Sequence, residues 1–115
     1  MKNKIKNIYI GLFVIVSSLS CGILSKSQKA TTSFSVSGKC EMCTNRIVQS
    51  LDLKDIYSSY YDLKAQKVFI TYNALVYKED QLHNIIAAVG HDTEKVKADN
   101  IVYSNLLDCC KYREE

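Results

Sequence analysis

Hydrophobic and polar positions alternate along "TSFSVS" (32–37), with Thr32, Phe34 and Val36 on one side and Ser33, Ser35 and Ser37 on the other. Period two predicts a half-buried strand, which Gly38 ends. From Met42 to Leu51 the period lengthens. Cys43, Ile47 and Leu51 recur every four residues and share one helical face. Two further runs read as a hairpin. "DIYSSYYDL" (55–63) is rich in tyrosine, and "KVFITYN" (67–73) sets Val68, Ile70 and Tyr72 against Phe69 and Thr71. The polar "LKAQK" between them supplies the turn.

"KEDQLHNIIAAVG" (78–90) returns to the helical period through Leu82, Ile85, Ile86 and Val89. Glu79 and Asp80 lie in its first turn, where the helix dipole favours negative charge. Gly90 suits its C-terminal cap. His83 falls off the apolar stripe and is expected in solvent. "HDTEKVKA" (91–98) predicts a short edge strand, and Asp99 can cap a last short helix, "NIVYSNLL" (100–107). The element order is β, α, β, β, α, β with a C-terminal helical tail. That is an α+β chain of the ferredoxin-like, split βαβ kind, in which two helices cover one face of a four-stranded antiparallel sheet.

The N-terminus has a different pattern. "MKNKIK" carries three lysines, "IYIGLFVIV" (8–16) is an unbroken apolar run, and "SSLSCG" is small and polar. This order predicts an export signal over residues 1–21. The apolar run is short beside the roughly 20 residues a membrane-spanning helix needs. Cys21 stands where a bacterial lipoprotein signal is cut and lipidated. Ser20 and Gly22 fit such a site, and Ser18 stands where leucine is usual. Residues 22–31 then read as a polar tether, 32–98 as the folded domain and 99–115 as the tail. The expected setting is the bacterial envelope, on the periplasmic side, anchored by lipid on Cys21.

Charge follows that division. The whole chain has 15 Lys and Arg against 12 Asp and Glu, but three of the lysines lie in the leader, so the remainder is balanced. No basic face interleaved with aromatics points to nucleic acid.

The chemistry lies in the cysteines. Cys40 and Cys43 form a C-x-x-C at a loop-to-helix junction. Unpaired N–H groups at a helix start favour negative charge, so Cys43 is expected to ionise readily. Two thiolates select soft ions such as Cu(I) or Zn(II) over calcium and magnesium. A C-x-x-C also serves redox enzymes. The thioredoxin-like ones rely on a proline facing the pair, and this chain has no proline. Cys109 and Cys110 give an even set of four thiols in the exported part, so a disulfide-stabilised scaffold also remains open.

"FSVSGKCEMCTNRIVQSL", "KVFITYN" and "LHNIIAAVGHDT" together resemble the heavy-metal-associated domain family of copper chaperones, mercury-binding proteins and modules of metal-pumping ATPases. The resemblance covers about Thr32 to Ala98. It implies a βαββαβ fold, an exposed metal site at Cys40 and Cys43, no catalysis, and a partner that is a metal transporter or efflux component. The ion it implies is a heavy metal, Cu(I) first and Zn(II), Cd(II) or Hg(II) after it. The loop departs from the family in lacking a methionine before the first cysteine; Met42 lies between the two instead. By the family fold His91 is a candidate third ligand or a donor to one, although a surface loop histidine is the commoner case. "DCCKY" (108–112) lies beyond the minimal domain. The resemblance favours a metal role for Cys109 and Cys110, with disulfide pairing or no role as the alternatives. Arg46 can offset a thiolate or simply be exposed. Tyr60, Tyr61 and Tyr72 are expected to pack on the sheet.

Overall fold

The computed structural model describes residues 27–113, so the predicted leader, Cys21 and the first half of the tether (22–26) lie outside the described residues. Strand β1 (Lys29–Ser35) leads to helix α1 (Glu41–Ser50). Strands β2 (Ile56–Asp62) and β3 (Lys67–Asn73) follow, then helix α2 (Glu79–Ala88), helix α3 (Asn100–Ser104) and a single 3-10 turn at Asp108–Cys110. None of the helices among the described residues is long and apolar enough to cross a membrane.

The sheet is antiparallel, in the order β1-β3-β2. β3 is central, so its alternation is the cleanest in the chain. Val68, Ile70 and Tyr72 are buried, while Phe69 stays 40% exposed, its ring tilted against that of Tyr60 with centroids 6.0 Å apart on the open face. The buried residues join Phe34 from β1 and Val36 just after it, Ile47 from α1 and Leu51 at its C-terminal cap, and Leu82 and Ile86 from α2 in one core. Covering one face of a sheet with two helices is how a chain this small buries enough apolar surface to fold.

Three sequence expectations need correction. β1 begins three residues early, because Lys29 to Thr31 pair with Asn73 to Thr71. The fourth strand is reduced to one bridge between Val36 and Thr93. Thr93 closes a turn instead: its N–H donates to the Val96 carbonyl, and its Oγ1 accepts from the N–H groups of Lys95 and Val96. Those bonds use the groups a ladder would need. His83 is fully buried rather than solvated. Its ring stacks on Phe34 with centroids 3.7 Å apart, and its Nδ1 lies 2.6 Å from Thr93 Oγ1. The buried face of α2 runs through Leu82, His83, Ile86 and Ala87, so it is turned from the stripe the apolar residues trace.

Gly90 follows α2 with φ +105°, a left-handed conformation that side chains resist. Tyr61 is buried as expected, and its hydroxyl donates to the Val36 carbonyl at 2.7 Å. A Cβ on Gly38 would stand 2.8 Å from that hydroxyl oxygen and 3.2 Å from the Cys43 Cβ, so only glycine lets the loop lie this close.

A candidate metal centre of three thiols

Cys40 caps α1: its carbonyl accepts from the N–H groups of Cys43 and Thr44. Cys43, one turn in, faces the core side of the helix and is fully buried. The third cysteine comes from the far end of the chain. After α3, Leu106 packs at Gly90, where an added Cβ would lie 2.9 Å from Leu106 Cδ2. The chain then makes the 3-10 turn against α1 and delivers Cys110, also fully buried.

The sulfur of Cys40 lies 3.3 Å from that of Cys43 and 3.4 Å from that of Cys110. The three ligand atoms lie within 4.8 Å of one another, and all three thiols are free. Three sulfurs about 2.3 Å from a shared ion stand about 4.0 Å apart. The two separations from Cys40 would widen by about 0.6–0.7 Å to reach such a three-coordinate site, whose donors suit a soft cation. The other two expected ligands lie outside the trio. Cys109 is exposed, its sulfur 3.9 Å from that of Cys110. His91 is fully buried, with Nδ1 2.8 Å from the Ser37 carbonyl. In that pairing Nδ1 carries the proton, and Nε2 is a buried acceptor without a partner. His91 thus ties the segment after α2 to the loop that leads into Cys40.

The two thiols of the C-x-x-C ionise in the reverse of the expected order. Burial opposes ionisation at Cys40 but is outweighed by the Cys43 N–H and by the neighbouring thiols of Cys43, Cys110 and Cys109. These hold Cys40 at about 7. Burial pushes Cys43 up to about 11, with the Cys40 sulfur beside it adding to the rise. Position at the helix start is a smaller effect here than the tail that covers Cys43. A thiolate therefore forms first at the more exposed sulfur.

What holds Cys110 in place is a latch the sequence reading missed. The Tyr112 hydroxyl donates to the Gly90 carbonyl at 2.6 Å and accepts from the Asp92 N–H at 2.8 Å. Its ring stacks with His91 and meets Tyr103 edge-on. Arg113 grips both oxygens of Asp92, at 2.7 and 3.1 Å, and also donates to the Ala98 carbonyl and to Asn100. Its guanidinium lies 4.2 Å over the Tyr103 ring. The Arg113 hydrogen bonds bring Asp92 below the ordinary carboxylate value despite its burial, which works the other way. Arg46 is half-buried, and its Nη1 has no partner. The one sequence signal for the latch was a tyrosine and an arginine two and three residues after Cys110, with an aspartate directly after His91.

The fold matches solved metal-binding proteins. The CopZ metallochaperone superposes with a TM-score of 0.53 at 20% identity, over 56% of this chain and 98% of that one. Oxidised MerP from Ralstonia metallidurans CH34 does so at 0.55 and 14%, over 58% and 96%. The N-terminal domain of a potential copper-translocating P-type ATPase from Bacillus subtilis, in its Cu(I)-loaded state, gives 0.54 and 19%, over 57% and 85%. The chain has the heavy-metal-associated fold. More than two-fifths of it lies outside each of these heavy-metal-associated superpositions. No family model matches the sequence, and no curated protein does.

Proposed function

We propose that the chain binds a soft metal cation through Cys40, Cys43 and Cys110 and passes it on by thiolate exchange, without catalysis. Cu(I) is favoured over Zn(II), Cd(II) and Hg(II). The observation that supports this most is the convergence of three free sulfurs, two of them buried, from opposite ends of the domain. Exchange follows from their unequal exposure. A thiolate of the receiving protein adds to the ion from the Cys40 side, and Cys40 then leaves as a thiolate. One metal–sulfur bond forms and one breaks, and the ion keeps its charge. Cys43 and Cys110, both fully buried, release last.

The receiving partner on this reading is a metal transporter or efflux component with cysteines of its own. Residues 1–21 act as an export signal, and Cys21 carries lipid that holds the domain at the envelope. Metabolic labelling with a radioactive fatty acid tests that part, since Cys21→Ser would take up none.

The central test is competition titration of the reduced, anaerobic protein with Cu(I) and with Zn(II). Tight binding that disappears in Cys40→Ser/Cys43→Ser and weakens in Cys110→Ser supports the reading. Absence of binding with all thiols reduced overturns it.

A further inference from the structure

Sulfur does not stop at the trio. Cys109 Sγ donates to Met42 Sδ at 3.7 Å and lies 3.9 Å from Cys110 Sγ. Met42 is 45% exposed in the first turn of α1, and Cys109 is exposed on the 3-10 turn that faces it. Five sulfur atoms therefore form a chain from the core to solvent, in the order Cys43, Cys40, Cys110, Cys109, Met42.

We infer that Met42 and Cys109, with Cys110 as a shared bridging thiolate, form a second, solvent-facing site for a monovalent soft ion such as Cu(I) or Ag(I). This rests on the proposed three-thiol site and extends it. The separations of 3.7 and 3.9 Å already approach the roughly 4.0 Å that three sulfurs take around one ion at about 2.3 Å. The donor set also discriminates between ions. A thioether is a soft, neutral ligand that suits Cu(I) and does little for a divalent ion. One thioether and two thiolates, one of them shared with a neighbouring ion, leave little negative charge to neutralise Zn(II). The outer site thus accepts the monovalent ion and excludes zinc. A thiolate bridges two Cu(I) or Ag(I) ions readily because each needs only two or three sulfurs. Methionine placed between the cysteines, rather than before them, is what sets a thioether on the turn opposite Cys109.

The test is stoichiometry by native mass spectrometry on the full chain, reduced and anaerobic in detergent, titrated with Ag(I) and separately with Zn(II). The expected result is two Ag(I) but one Zn(II) per chain. Met42→Leu and Cys109→Ser should each hold one Ag(I) and still one Zn(II). Met42 and Cys109 are exposed, so neither change disturbs the core, and unaltered circular dichroism would verify this. One Ag(I) in the unmodified chain, or two in both variants, overturns the outer site while leaving the three-thiol site standing. No ion of either kind overturns both.

Discussion

Tyr112→Phe removes one oxygen atom from the tail latch and leaves the ring in place against His91 and Tyr103. Two bonds go with it: the donation to the Gly90 carbonyl and the acceptance from the Asp92 N–H. Both backbone groups then lack a partner while the tail is docked and regain water when it lifts. Leaving half-buried groups unsatisfied costs about 1–3 kcal/mol. If opening of the tail is fast relative to chemical modification, the population of the open form rises by the same free energy, which is about 5- to 150-fold. Cys110 is fully buried when the tail is docked, so its alkylation in the metal-free protein reports that population. The assay is iodoacetamide labelling followed by peptide mass spectrometry, with amide exchange of β3 read in the same sample. Cys110 labelling should accelerate by that factor while the β3 amides keep their protection. An unchanged rate at Cys110 would refute the latch. Equal acceleration in β3 would show that the tail opens only when the whole domain unfolds, and would refute its separate hinge.

Three further outcomes are expected. Burial holds His83 and His91 below the ordinary histidine value of 6.5, so the unfolded chain takes up their protons first. Their contribution to stability is therefore complete above about pH 6.5 and shrinks as pH falls below it, and urea melts at neutral and mildly acid pH should show the lower midpoint in acid. Thiolate absorbance of the metal-free protein should rise with a midpoint near 7 that is lost in Cys40→Ser, because Cys43 ionises only near 11; a midpoint that survives in Cys40→Ser would reject the assignment. Gly90→Ala should destabilise the protein by about 1–3 kcal/mol, since φ +105° disfavours any side chain and the new Cβ would press on Leu106, and a thermal melt identical to that of the unmodified protein would contradict this.

Much of the fold was legible because its strongest pattern lies where both neighbours pair with it. β3 occupies the predicted residues 67–73 because a central strand must satisfy an apolar face along its whole length. Helix α1 follows its Cys43, Ile47, Leu51 spacing for the same reason. The edge of the sheet was less legible. Residues 91–98 carry strand-compatible side chains, but the hydrogen bonds of Thr93 are local, and no periodicity reveals that competition. His83 was misplaced because the helix packs over a face wider than its apolar residues mark, and a histidine bonded to Thr93 fits within it. At the candidate metal centre, the C-x-x-C marked two of the three converging thiols. The third depended on how Tyr112 and Arg113 meet Gly90 and Asp92, a contact about 20 residues long in sequence and visible only in three dimensions.

Cys43 and Cys110 are 67 residues apart, with most of the folded domain strung between them. An ion held by both would close that span as a cross-link. By the loop-closure relation used for disulfides, a loop of this length restrains the unfolded chain by about 4 kcal/mol. A marginally stable small domain would thus have its cargo as its principal staple. If the proposed ion binds, loading would add to the stability of a fold that already forms without it, and a chain that had given up its ion would be the more readily unfolded and cleared.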